Sequence, residues 1–247
     1  IIEEEIEREQ VIELNGMLTL SEFYETESNI ASAVNHLSSI KSEFKEEKIL
    51  KEISKYESDN NIVFNECQKE AIMGSLLNNL FIITGGPGTG KTTILKAIVF
   101  IYSNLVSNIQ SKDITLLAPT GRAAKRIMES VNRKASTIHK FLKWNKETKE
   151  FSINRYNPVD TKLVIIDEFS MVDIFLFNSL IDGLPYNVKL VLVGDANQLP
   201  SIAPGNILGD LLSVDGIKNK YLDTIYRTSS ESYIIPFAQD IKNRNTL

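Results

Sequence analysis

The sequence predicts an α/β protein, a parallel sheet with helices on both faces, preceded by a small hairpin-plus-helix segment at the N-terminus. Three observations predict it. After about residue 60, short runs rich in leucine and β-branched residues alternate with helix-length segments. Those runs are apolar almost throughout, as in strands buried on both faces. Before residue 60 the apolar residues recur at helical spacing instead.

Each element follows from its residues. Residues 10–21, QVIELNGMLTLS, set two short apolar-alternating runs around Asn15-Gly16, the dipeptide that favours a two-residue hairpin turn. From about residue 27 to 56 the series Ile30, Val34, Leu37, Ile40, Phe44, Ile49 and Ile53 predicts one long helix or two shorter ones. The polar stretch 57–61, ESDNN, reads as a linker. Strands are expected at 81–84, 114–118, 163–167 and 189–193, and helices at 91–106, 121–131 and about 172–182. Residues 143–160 are polar and include Trp144 and Asn157-Pro158, an insertion of hairpin or loop character. Trp144 fits a core position or a base-stacking one.

Composition narrows the class. The chain has 247 residues, 43% hydrophobic and 24% charged, in the range of ordinary globular proteins. A single cysteine, Cys67, excludes an intramolecular disulfide and points to a reducing, cytoplasmic setting. The most lipid-like stretch, 94–106, is interrupted by Lys96 and too short to span a bilayer, so no membrane partner is expected. The first residue is Ile1, which reads as a piece of a longer chain. The net charge of −5 argues against indiscriminate nucleic-acid binding, but its distribution is uneven. Residues 1–60 hold 6 Lys/Arg against 15 Asp/Glu, whereas residues 120–150 hold 9 Lys/Arg against 3 Glu. The basic segment suits either a specific anionic partner or a solvated helix face.

The chemistry concentrates at a glycine cluster. Gly85-Gly86-Pro87-Gly88-Thr89-Gly90-Lys91-Thr92 fits G-x-x-x-x-G-K-[ST] at every fixed position, after an expected strand and before an expected helix. Such a loop turns successive backbone N–H groups toward phosphate oxygens, and the following helix adds its positive end. Lys91 is placed to reach the β- and γ-phosphates of ATP, and the Thr92 hydroxyl to ligate Mg²⁺. The segment KLVIIDEFSM, 162–171, ends a strand in Asp167-Glu168. Asp167 suits the metal and Glu168 the polarisation of an attacking water, although an aspartate there also caps helices. In LVGDANQLPSIAPGNIL, 192–208, the Gln198 amide is suited to sensing a γ-phosphate, or is an ordinary loop residue. Pro119-Thr120-Gly121-Arg122 follows a strand and opens a helix, an arrangement that binds backbone phosphates without reading sequence. Thr137 and His139 lie in the basic segment, where His139 suits base stacking, phosphate contact or simple packing.

Several stretches together resemble one family. FNECQKEAI (64–72), GGPGTGKTT (85–93), LLAPTGRAAKRI (116–127), STIHKFL (136–142), IIDEFSM (165–171), VGDANQLPSIAPGNIL (193–208) and IYRTSSESYIIPFAQDI (225–241) stand in the order found in the RecD/TraA family of superfamily 1 helicases, the 5′-to-3′ branch. The chain is similar to the first RecA-like lobe of such an enzyme. FYETESNIASAVNHL (23–37) resembles the helix preceding that lobe in stand-alone RecD proteins.

The resemblance implies a P-loop NTPase fold, ATP and Mg²⁺ as cofactors, single-stranded DNA as partner, and roles in recombination, repair or conjugation. It names no particular recombination-complex subunit. It implies that Gln68 reads adenine, although Asn65-x-x-Gln68 also fits a helix capping box. Gly86, Pro87, Gly88, Thr89, Gly90, Lys91, Thr92 and Thr93 would form the phosphate and metal loop. Asp167 would be the metal carboxylate, Glu168 the catalytic base and Gln198 the γ-phosphate sensor. Arg227 would reach the γ-phosphate, or is an ordinary surface arginine. Pro119, Thr120, Arg122, Thr137 and His139 would line the DNA path. The expected organisation is an N-terminal segment 1–60, a motor lobe 61–224 and the start of a second lobe 225–247. The few residues after Arg227 cannot make a lobe, so binding without strand separation is expected of this chain. The rival readings are a non-motor P-loop ATPase acting as a nucleotide switch, and a DNA-binding scaffold without turnover.

Overall fold

The computed structural model describes residues 10–14, 16–224 and Tyr226. Arg227 and Asn15 lie outside the described residues, as does the rest of the stretch 225–247. The chain opens with a hairpin, β1 (Val11–Leu14) and β2 (Met17–Leu20), in which Leu14 faces Met17 across a two-residue loop. Gly16 has φ 78°, the left-handed backbone that the predicted turn requires.

Two helices follow where one or two were expected, α1 (Ser21–Ser39) and α2 (Glu46–Asn60). The expected linker at 57–61 is instead the last turn of α2, closed by Asn61 in the left-handed region. Its polar residues lie on a solvated helix end, where Asn at the closing position does what Gly often does. Helix α3 (Glu66–Leu77) begins with a full capping box: Gln68 N–H donates to Asn65 Oδ1 at 2.8 Å, and Asn65 N–H donates to Gln68 Oε1 at 3.1 Å.

The centre is a six-stranded, all-parallel sheet in the order β10-β3-β9-β8-β4-β5. Its strands are β3 (Leu80–Gly85), β4 (Ile114–Ala118), β5 (Ala135–Thr137), β8 (Leu163–Ile166), β9 (Lys189–Gly194) and β10 (Asn219–Leu222). The short antiparallel pair β6 (Trp144–Asn145) and β7 (Glu150–Phe151) forms the expected hairpin insertion. Connecting helices are α4 (Lys91–Leu105), α5 (Gly121–Val131), α6 (Ile138–Phe141), α7 (Ile174–Asp182) and α8 (Ile207–Ser213).

Strand alternation splits the core into two layers. Phe81, Ile83, Leu163, Ile165, Val191 and Val193 face one layer with Ile94, Ile98 and Ile127. Ile49, Ile53 and Tyr56 of α2 belong to that same cluster. Leu80, Ile82, Val164, Ile166, Leu190 and Leu192 face the other, against Ile30, Val34 and Leu37 of α1 and Phe177 and Leu180 of α7. Sequence runs that are apolar at almost every position are thus satisfied on both faces. Among the described residues no helix is long and apolar enough to cross a membrane.

A nucleotide cleft at the carboxyl ends of the strands

In a parallel sheet all carboxyl ends share one edge, and the site residues collect there. The loop after β3 reaches α4 through Gly88 at φ 83° and Gly90 at φ 87°, values that only glycine adopts cheaply. A Cβ on Gly90 would stand 2.6 Å from Gln68 Nε2. Lys91 folds back over the loop, its ammonium donating to the carbonyls of Gly85 (2.5 Å) and Gly86 (2.8 Å). Thr89 is buried, with its hydroxyl donating to Gly86 O at 2.9 Å.

Pro87, Gly88, Gly90, Lys91, Thr92 and Thr93 line a cleft of about 280 Å³. Asp167, Glu168 and Gln198 line it from β8 and from the loop after β9, joined by Arg126 and Tyr226. The loop, both acids and Gln198, singled out separately along the chain, thus meet in one place. Gly86 and Thr89 are used within the loop itself. Gln68 lies behind the loop, its amide donating to Thr89 O at 3.4 Å while its oxygen serves the capping box.

Electrostatics fit an anion and a cation in this cleft. Burial lowers the Lys91 pKa, partly offset by the carboxylates of Asp195, Asp167 and Glu168. Burial likewise raises the Asp167 pKa, opposed by the Glu168 N–H. Among the described residues Asp167 makes no ion pair within 4 Å, and no cluster of three or more His, Cys, Asp or Glu is placed to hold a metal unaided. Thr92 and Asp167 suit Mg²⁺, which typically takes one or two protein ligands and completes its shell from phosphates and water. Glu168 sits at φ 54°, uncommon for a residue with a Cβ, and its Oε1 lies 3.7 Å from Arg126 Nη1.

Two cleft residues, Arg126 and Tyr226, and Asp195, whose charge acts on Lys91, escaped sequence reasoning. Arg126 stands one helical turn beyond Arg122 on α5, so i, i+4 spacing was an available signal. Asp195 is buried after β9 and accepts from Asn197 N–H at 3.0 Å. Tyr226 donates its backbone N–H to Gly88 O at 2.9 Å, a long-range contact that no local pattern announces.

The residues expected to face DNA lie at the same sheet edge, beyond β8. Ala118 pairs with Thr137, which sets the ends of β4 and β5 side by side. Thr120 caps α5, accepting from Ala123 N–H at 3.3 Å, and Thr137 caps α6, accepting from Lys140 N–H at 3.2 Å. Pro119 is half-buried between them, while Arg122 and His139 are exposed. The His139 ring packs 5.8 Å from Phe151 and 6.3 Å from Trp144, and Trp144 packs 4.7 Å from Phe151. Trp144 is 40% exposed, so it belongs to a surface aromatic cluster rather than the core.

A glycine loop between strand and helix, with a buried aspartate and a glutamate at the neighbouring strand end, defines a P-loop nucleotide-binding domain. The chain belongs to the AAA domain family, whose model matches residues 68–204. Its homologues include the RecBCD enzyme subunit RecD of Buchnera aphidicola, 33% identical over 200 residues, covering 72% of this chain and 33% of that protein. They also include the ATP-dependent RecD2 DNA helicase of Deinococcus radiodurans, 35% identical over 164 residues, covering 66% of this chain and 22% of that protein. The chain therefore spans about a third or less of the length of these relatives. Among solved structures, the Pif1 helicase from Candida albicans is similar in fold, with a TM-score of 0.54 at 22% identity, covering 73% of this chain and 44% of that one.

Proposed function

We propose that this chain is the ATP-binding lobe of a DNA helicase that moves 5′ to 3′ along single-stranded DNA in recombination, repair or conjugation. The observation that carries the reading is the meeting of Lys91, Thr92, Asp167, Glu168 and Gln198 in one cleft, in a chain homologous to RecD proteins.

In this reading Lys91 exchanges the Gly85 and Gly86 carbonyls for β- and γ-phosphate oxygens, stronger partners for a half-buried cation. The N–H groups from Gly88 to Thr93 cradle the phosphates. Thr92 and Asp167 hold Mg²⁺, which when bound neutralises phosphate charge. Glu168 orients and deprotonates the attacking water, and Gln198 reports the γ-phosphate. Arg126, 3.7 Å from Glu168, holds that carboxylate away until nucleotide enters. Gln68 contacts adenine from the start of α3. Arg227 adds a γ-phosphate contact from the start of a second lobe at 225–247, with residues 61–224 as the motor lobe and 1–60 as its N-terminal segment. DNA crosses Thr120, Arg122, Thr137 and His139, with the hairpin 143–160 beside it. The setting is cytoplasmic.

The test is ATP turnover by the full-length protein carrying this sequence, with and without oligothymidylate. Stimulation by the oligonucleotide, and loss of nucleotide binding in Lys91→Ala, support the reading. Turnover indifferent to single-stranded DNA would replace it with the nucleotide-switch reading.

A further inference from the structure

A second polar pocket lies at the opposite, amino-terminal edge of the sheet. Strand β3 separates the two edges, about 17 Å for its length at a rise of roughly 3.3 Å per residue. The pocket has a volume of about 250 Å³ and is floored by Lys189, the first residue of β9. Every other residue of that strand is apolar or glycine.

Lys189 is only 6% exposed, yet it has no carboxylate within 4 Å among the described residues. Its ammonium donates to two neutral acceptors, Asn78 O at 2.7 Å and Asn79 Oδ1 at 3.3 Å. The Asn79 amide is fixed in turn by bonds to the carbonyls of Asn187 (3.1 Å) and Val188 (3.4 Å). An ammonium carries three donors, so one N–H remains for the pocket. Phe44 closes one side, its ring centroid 5.9 Å from the nitrogen. A buried cation held only by neutral groups is costly to keep charged.

The rest of the lining is also rich in donors. Tyr102 reaches the pocket, and its hydroxyl has no hydrogen-bond partner among the described residues. Burial, aided by Asp113 and Glu43, pushes its pKa up to about 12, so it stays a donor at neutral pH. Lys41 and Lys162 stand at the rim, Lys162 paired with Asp113 at 3.0 Å. The one carboxylate in the lining, Glu43, is exposed.

We propose that this pocket binds a small oxyanion, a carboxylate or a phosphate group, anchored by the free N–H of Lys189 and the Tyr102 hydroxyl. The site is separate from the nucleotide cleft and does not depend on what that cleft does. Its occupant would brace the connector between α1 and α2, because Ser42 already donates to Leu76 O at 2.9 Å and Lys41 bridges to Asn78 beside it.

The experiment uses Lys91→Ala protein, so that the phosphate loop does not compete for the probe. Backbone amides of Ser42, Asn79, Asn187 and Lys189 are followed by NMR at constant ionic strength. Inorganic phosphate and acetate are titrated in separate arms at pH 7. Saturable shifts at these amides with either probe support the site, and the responding probe identifies the oxyanion. Binding should weaken at least tenfold in Lys189→Met, whose folding is checked by thermal melting. It should weaken similarly without that substitution at pH 9.5, where burial leaves Lys189, with its pKa lowered to about 8, uncharged. No saturable shift with either probe, or binding unchanged at pH 9.5, would overturn the proposal.

Discussion

Substituting alanine for Gly90 separates the backbone requirement of the phosphate loop from its ligand chemistry. Gly90 has φ 87° and ψ 11°, and a residue with a Cβ in that left-handed region loses roughly 1–2 kcal/mol. Its new methyl would also stand 2.6 Å from Gln68 Nε2. Gln68 cannot swing away freely, because its oxygen accepts from Asn65 N–H at 3.1 Å while its amide donates to Thr89 O at 3.4 Å. Losing one such bond costs about 0.5–1.5 kcal/mol. Gly90→Ala should therefore destabilise the nucleotide-free protein by about 2–3 kcal/mol. Gly86 offers the control: it is not among the positive-φ glycines, and a Cβ there meets nothing within 4 Å. Gly86→Ala should change stability by no more than about 1 kcal/mol, toward greater stability if the unfolded chain dominates. Equilibrium urea unfolding, followed by circular dichroism without nucleotide, measures both. If Gly90→Ala stays within about 0.5 kcal/mol of the parent, or the two variants lose equally, the account of the loop is wrong.

Three other outcomes follow from the described contacts. Glu168→Gln should keep Mg-ATP affinity, read by calorimetry, while turnover in the full-length protein falls roughly 10²–10⁴-fold; a parallel loss of affinity would make Glu168 a binding residue. Lys189 binds fewer protons folded than unfolded between pH 8 and 10.5, because burial lowers its pKa to about 8, so its contribution to stability rises with pH across that window. Parent-minus-Lys189→Met unfolding free energy should climb by about 3 kcal/mol there, and a flat difference would refute the buried-charge account. Arg122→Ala with His139→Ala should weaken single-stranded DNA binding for all sequences alike and shallow its salt dependence, as lost phosphate contacts do. Thr120 and Thr137 are poorer probes, since each caps a helix and its loss costs about 1 kcal/mol of stability.

The residues reveal most where local and global demands agree. The four expected strands recur within a residue or so, because strands covered on both faces are apolar at nearly every position. The phosphate loop was legible because its glycines, Lys91 and Thr92 are adjacent in the chain. Strands β5 and β10 were not foreseen: AST and NKYL are too short and too polar to register, and neighbouring strands hold them in place. Polar punctuation misled at ESDNN, where Asn61 ends a helix rather than opening a linker. The influence of Asp195 on Lys91 and the bond from Tyr226 N–H to Gly88 O join distant segments, which spacing along the chain does not encode.

The order of strands has a consequence for how the protein reaches this shape. Among the described residues, strand β3, which carries the phosphate loop, pairs only with β9 and β10: Leu80 lies beside Leu190, and Ile82 beside Asn219. Among the described residues no strand near it in the chain covers either of its edges. A nascent chain emerging from the ribosome must therefore hold an apolar strand with both edges open until more than a hundred further residues have been made. Such distant pairing slows folding, because the closure entropy is lost before the contact forms. An unpaired apolar edge is also where chains stick to one another. Helices α3 and α4, which flank β3 in sequence and pack in the same layer, are the elements available to shield one of its faces during that interval.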